Sequence, residues 1–318
     1  MFSVDTKEVD GFDIIVLANK VAGTSIEIIP ACGAILHGFW INCDGVAVNI
    51  IEPYTTKADF DNQVESRGFR GCKLSPFVCR LKDGKYEFGE KDYKVEKFYL
   101  GKHALHGLLY DAAFEVIKIK AVEEMASAEL LFSYKGTDRG FPFKYDCRVV
   151  YELKKDNNLH ITTIVKNQES FAIPMSDGWH PYFTFGRLID ELQLGMQAES
   201  ILVADEELIP SGKKLPYSLF KTATKIGPTV FDDCFLVDFK QQDPTLILID
   251  PKKKLQLEIR PDRSYPYLQI YTPGHRRSIA IENLSAAPDA FNNRMGLTTL
   301  PAGNEAIYKT NFRISNTG

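Results

Sequence analysis

The chain has 318 residues, 44% hydrophobic and 25% charged, an ordinary composition for a globular protein. Its 38 basic and 42 acidic side chains leave a net charge of −4 with no basic run, which speaks against nucleic acid as a partner. No apolar run approaches the roughly 18 residues of a membrane helix, and six scattered cysteines without a C-x-x-C pair read as reduced core thiols of a cytoplasmic protein.

Residues 1–7 carry acids early and lack an apolar stretch, so they are not read as a secretory signal. Segments 12–17, 25–29, 34–41 and 46–51 are short β-type runs separated by Gly, Pro, Asn or Asp, as in a succession of hairpins. Residues 57–64 read as a short helix. Helix-period segments between strands are missing, which argues against a parallel doubly wound sheet. Neither a G-x-G-x-x-G nor a P-loop is present, so nucleotide chemistry has no visible platform.

Three arginines, Arg67, Arg70 and Arg80, then fall among glycines and a proline. Arg80 stands between apolar neighbours, either as a paired structural ion or as a donor fork aimed at oxygens in a cleft. The Lys82-Asp83-Gly84-Lys85 stretch after it reads as a hairpin turn. His103 and His106 have the spacing of a metal pair, but lack a nearby set of acids or thiols. A loop histidine donating to a ligand oxygen is the preferred reading of His106.

Strands are expected at 113–120, 128–134, 145–153 and 159–165, with a turn at 139–143. The stretch Asp177-Gly178-Trp179-His180-Pro181-Tyr182-Phe183 sets one imidazole among four aromatic or proline rings. Pro181 disfavours helix at His180, which places the histidine on extended chain. Such a cluster suits a sugar, with C–H faces to stack and hydroxyls to bond; a histidine in an aromatic core fits equally. The chain is less regular through residue 229, but apolar residues never thin into a linker, so a single domain over 1–318 is expected. Asp232 and Asp233 open a strand, where they could share acid–base roles, bind hydroxyls or form a solvated turn. Strands follow at 245–249, 255–259 and 267–272. Glu282 comes after an apolar run, at a sheet rim or buried with partners; burial would lift its pKa toward that of a general base. A final strand is read at 306–314.

In this order the pieces resemble the aldose 1-epimerase (galactose mutarotase) family over nearly the whole length. Phe77-Val78-Cys79-Arg80-Leu81 with Asp83-Gly84 resembles the family's Asn-Arg-Ile element and its Asp-Gly turn, and Leu105-His106-Gly107 its Leu-His-Gly-Gly. Trp179-His180-Pro181-Tyr182-Phe183 resembles His-x-Tyr-Phe, Phe231-Asp232-Asp233-Cys234-Phe235 resembles Phe-Asp-His-x-Phe, and Glu282 to Asn292 resembles the Glu…Pro-x-x-x-Asn ending. Cys79, Leu108 and Asp233 depart from the pattern, as does Lys73-Leu74-Ser75-Pro76, and these departures bear on which sugar is used.

The resemblance implies an all-β fold, a large antiparallel β-sandwich or supersandwich, and an isomerase needing neither metal nor organic cofactor. It implies Glu282 as the base on the anomeric hydroxyl and His180 as the acid on the ring oxygen. Arg80, His106, Asp232 and Asp233 would contact the sugar, and Trp179, Tyr182 or Phe183 would offer a stacking face. The expected partner is a free hexose such as glucose or galactose, with no nucleic acid or membrane, on a monomer or homodimer. Alternatives are a hexose-6-phosphate 1-epimerase, with Arg67, Arg70 and Lys73 as phosphate ligands, and a non-catalytic sugar-binding protein. A glycosidase or lyase using Asp232 with Glu282 ranks last, since it leaves His180 without a role.

Overall fold

Period-two alternation of apolar and polar side chains builds most of the sheets. In strand Tyr145–Lys154 every second residue is buried, so one face packs and the other faces outward. The computed structural model describes residues 1–240 and 245–317. Strand makes up 52% of it and helix 5%.

Three antiparallel sheets dominate. The first five strands, Phe2–Val9 to Val46–Asn49, pair in sequence order as successive hairpins. A nine-stranded sheet runs from Glu115–Ala121 through Met125–Tyr134, Tyr145–Lys154 and Asn158–Asn167 to the C-terminal strand Glu305–Asn316. It continues to Leu255–Ile259, Leu246–Asp250, Gln193–Met196 and Thr224–Lys225. The third sheet orders Pro210–Pro216, Ala198–Ala204, Asp232–Val237, Tyr267–Tyr271, Ile279–Leu284, Gly178–Trp179 and Lys73–Leu74, with Tyr182–Phe183 also on Ile279–Leu284. One hydrophobic core joins all three, drawing Ile26 and Leu36 from the first, Val149 and Leu257 from the second, and Ile270 and Ile281 from the third. This is the expected all-β sandwich.

Several local expectations change. Strand Phe2–Val9 buries only Phe2, so its hydrogen bonds to Phe12–Asn19 define it, not a buried face. The helix spans Lys57–Gln63 and is capped by Thr56, whose hydroxyl accepts from the Asp59 amide at 3.0 Å. Residues 82–85 do not close a hairpin. Arg80–Leu81 pairs with His103–Leu105, whereas Lys85–Phe88 pairs with Lys91–Lys94. The Lys82–Gly84 turn thus passes the chain from one small sheet to another.

Candidate active site

The site is built on strand Ile279–Leu284, in which all six residues are buried. A strand covered on both faces reads as a continuous apolar run. Here that run is interrupted by a carboxylate: Glu282 is 2% exposed. Cross-strand register sets Glu282 opposite Gln269, and Gln269 opposite Cys234. The next row sets Tyr182 opposite Ala280, Ala280 opposite Tyr271, and Tyr271 opposite Asp232. Side chains on neighbouring strands at matched register share a face, and these two rows floor a cavity of about 1020 Å³.

His180 enters that cavity from the segment between Gly178–Trp179 and Tyr182–Phe183. Its amide donates to the Cys72 carbonyl at 3.1 Å, and its carbonyl accepts from the Gly71 amide at 2.8 Å. Its Nε2 lies 3.3 Å from Glu282 Oε1. The Tyr182 ring stacks on the imidazole, with centroids 5.1 Å apart and planes within 5°. His106 meets the His180 ring edge-to-face, with centroids 4.8 Å apart.

His106 is held by an unusual backbone. Its φ is 61° and that of Gly107 is 76°, both in the left-handed region. The His106 amide donates to Cys79 and the Leu108 amide to Ser75, at 2.9 and 2.6 Å. A Cβ on Gly107 would stand 2.3 Å from the Ser75 carbonyl oxygen, so only glycine fits. Gly107→Ala is expected to cost more than about 1 kcal/mol in chemical denaturation and to lower sugar affinity by displacing His106. An unchanged midpoint would contradict that role.

Arg80 is anchored through its main chain, whose carbonyl accepts from the Asp289 amide at 2.7 Å. The Asp289 carboxylate takes the Lys82 amide and the Asn292 side chain, at 2.9 and 2.7 Å. Asp289, at the N-cap of the short helix Ala290–Asn293, therefore fastens the arginine strand. Gln269 donates to Asp232 Oδ1 at 3.1 Å.

Electrostatics follow from burial. Desolvation, with Asp232 adding to it, raises the Glu282 carboxyl well above its usual range, while Arg80 pulls it back. Burial drops His180 to about 3. It also drops His106 well below the ordinary imidazole value, with His180 and Arg80 adding to the effect. Asp232 is raised by desolvation against the pull of Arg80, and Asp233 is raised by the same cause.

Of the expected site residues, Glu282, His180, Arg80, His106, Asp232, Tyr182 and Asp233 all line the one cavity. Trp179 does not. Side chains alternate along a strand, and Trp179 points away from His180 into the core, against Tyr151 and beneath the Lys73 ammonium 4.4 Å away. Phe183 is likewise a core residue, packed on Phe312. His103 does not join His106: its Nδ1 accepts from the Asp83 amide at 3.0 Å, and its Nε2 lies 3.6 Å from Glu207. Lys73 is also a correction. It is 0% exposed and gives Nζ to Asp177 at 2.5 Å and to the Gly178 carbonyl at 3.0 Å. It cannot reach a ligand in the cavity.

Sequence reading missed Gln269. It lines the cavity, is 8% exposed, and its Oε1 has no hydrogen-bond partner. The available signal was one amide inside the apolar run Leu268-Gln269-Ile270. Phe98, Leu202 and Leu208 add an apolar wall that no motif marked.

A buried histidine–carboxylate pair at the floor of a cleft in an antiparallel sandwich places an acid and a base within reach of one another. The aldose 1-epimerase family model matches residues 13–313, and the chain belongs to that family. YihR of Escherichia coli K12, itself uncharacterised, is 27% identical over 240 residues, covering 73% of this chain and 75% of its own. An aldose 1-epimerase of Haemophilus influenzae is 24% identical over 255 residues, covering 73% and 72%. A galactose mutarotase-like protein of Clostridium acetobutylicum shares the fold with a TM-score of 0.87 at 19% identity, over 99% of both chains. Among the described residues no helix is long and apolar enough to cross a membrane.

Proposed function

We propose that the protein is an aldose 1-epimerase that interconverts the α and β anomers of a free hexose, acting as a single domain. The observation that carries this reading is the 3.3 Å approach of His180 Nε2 to Glu282 Oε1 at the floor of a cleft roomy enough for a hexose. Glu282 takes the anomeric hydroxyl proton while His180 protonates the ring oxygen. The ring opens, the aldehyde carbon turns, and closure on the other face reverses both transfers. Each positioned proton transfer is typically worth about 10²–10⁴-fold.

The titration shifts bear on where the proton of this relay rests. Burial raises the Glu282 carboxyl and lowers His180 to about 3, so a proton shared by the pair is favoured on the carboxyl over the imidazole in the empty cavity. The form that starts ring opening, carboxylate beside imidazolium, holds the same shared proton. Bound sugar dipoles and the Arg80 cation stabilise it. No proton need come from solvent.

A pH prediction follows with its sign. A second proton on the pair stops the base, but is taken up only toward His180's lowered value of about 3. Loss of the shared proton stops the acid, and burial of Glu282 moves that loss to higher pH. The profile of kcat/KM, which reports the free enzyme, should therefore show no histidine acid limb at pH 6.5. An acid limb centred there, as for an ordinary histidine, would contradict the shared-proton account.

Charge pairing favours a free sugar over a sugar phosphate. Lys73 is buried against Asp177, Arg70 pairs with Glu52 at 3.1 Å, and Arg67 pairs with Asp59 at 2.9 Å. Asp232 and Asp233 face the cavity alongside Arg80, and would repel a phosphate dianion. Polarimetry on fresh α-D-glucose, α-D-galactose and glucose 6-phosphate tests the assignment. Faster relaxation of the free sugars is expected; a marked preference for the phosphate would overturn it.

A further inference from the structure

Glu282 and the two imidazoles beside it have a second capacity. His106, His180 and Glu282 each offer one ligand atom, and these atoms lie within 4.8 Å of one another. Around tetrahedral Zn²⁺, with bonds of roughly 2.0–2.1 Å, neighbouring ligand atoms stand about 3.4 Å apart. The 3.3 Å between His180 Nε2 and Glu282 Oε1 already matches one edge of that figure. Two imidazoles and one carboxylate form a ligand set that leaves further positions open.

Two more observations bear on the site. Glu282 Oε2 and the Nδ1 atoms of His106 and His180 are buried with no hydrogen-bond partner. An ion would relieve the carboxylate directly. Asp232 and Asp233 on the same cavity wall draw cations toward it. A resident metal, however, is normally supported by partners on the second ring nitrogen of each histidine. Here neither Nδ1 has one, so the ion would be held loosely and would exchange.

We propose that His106, His180 and Glu282 form a reversible, inhibitory site for a divalent transition-metal ion such as Zn²⁺. The ion occupies the atoms through which the proton passes, so metal and turnover exclude one another. The inhibitory half of this inference rests on the function proposed above; the binding half does not. Hard cations such as Mg²⁺ prefer oxygen ligands and are excluded by the two imidazoles.

The test is titration of the metal-free protein with Co²⁺, followed by visible absorption, and with Zn²⁺ by calorimetry. One ion per chain is expected, with nitrogen–oxygen ligand-field bands and no response to Mg²⁺. Glu282→Gln, His180→Asn and His106→Asn, each verified as folded by circular dichroism, should weaken binding at least about a hundredfold, beyond the 10–100-fold that outer partners typically cost. Zn²⁺ should slow anomer exchange in proportion to occupancy, and EDTA should restore it. Binding that survives all three substitutions, or no binding of Co²⁺ at all, would overturn the site. So would an intense near-ultraviolet thiolate band, which would put the ion on Cys79 or Cys234, both at the cavity wall. If the ion binds these three side chains and the metal-free protein still shows no anomer exchange, the site stands and the epimerase reading falls.

Discussion

Glu282→Gln and His180→Asn are each expected to lower kcat for anomer exchange by about 10²–10⁴-fold, with a much smaller effect on sugar affinity. The double variant should fall little further than the worse single one. The reason lies in the path of the proton. In the proposed relay, ring opening carries one proton from His180 to Glu282 by way of the sugar, and closure returns it. Removing either end stops the whole circuit, so the second removal has nothing left to stop. Glutamine and asparagine preserve volume and polarity at two buried positions, 2% and 4% exposed, which limits the structural cost. Relaxation of fresh α-galactose by polarimetry provides the rates. Losses that multiply would indicate two independent catalysts.

Lys73→Ala carries the second large effect, this time on stability. Lys73 and Asp177 are both fully buried, and Asp177 also accepts from the Tyr265 hydroxyl at 2.6 Å. Truncating the lysine leaves a carboxylate in dry surroundings, typically a loss of about 3–5 kcal/mol. Burial already raises the Asp177 pKa, and the Lys73 charge opposes the rise. Without Lys73 the folded carboxyl holds its proton more tightly than the unfolded one. The folded state then binds more protons, so stability falls as pH rises. Urea denaturation should show a larger deficit at pH 8 than at pH 5. Lys73→Met with Asp177→Leu should regain part of the loss, but not all, because Tyr265 and the Gly178 carbonyl lose their partners. A pH-independent deficit would mean that lost packing, not the stranded charge, sets the cost.

That ion pair also connects to function. The Asp177 amide donates to the Ser285 hydroxyl, and its carbonyl accepts from the Ser285 amide, both at 2.8 Å. The bond pair joins the two segments that carry His180 and Glu282. The unusual Lys73-Leu74-Ser75-Pro76 stretch thus lies behind the site, where it supports the site's framework.

Much of the sandwich was legible because alternation is a local signal. Tyr145–Lys154 and Asn158–Asn167 alternate without a break, and a one-residue slip in register would turn their apolar faces outward. The C-terminal strand was equally plain. Strand Phe2–Val9 was not, because seven of its eight residues keep some exposure and only partner hydrogen bonds define it. The turn at Lys82–Gly84 has hairpin chemistry, yet its flanking strands pair elsewhere. Turn residues specify a reversal of direction but not which strand receives it.

The site divides along similar lines. His180, His106, Glu282 and Asp232 stand in short motifs that resemblance alone could carry. Trp179 sits in the same motif and was misassigned, though alternation along two residues already sets it on the face opposite His180. Lys73 looked available to an anion because nothing nearby in sequence announces Asp177, 104 positions away. Gln269 went unnoticed because a single amide in a strand has no local meaning. Its place opposite Glu282 arises only when the strands pair.

The most direct measurement is NMR saturation transfer between the α and β anomeric protons of an equilibrated free hexose with catalytic wild-type protein. The account predicts transfer that grows with protein concentration, disappears in Glu282→Gln and persists across pH 6.5. Sugar signals that broaden on binding while no saturation passes between the anomers, for glucose and galactose alike, would contradict it and leave a sugar-binding protein.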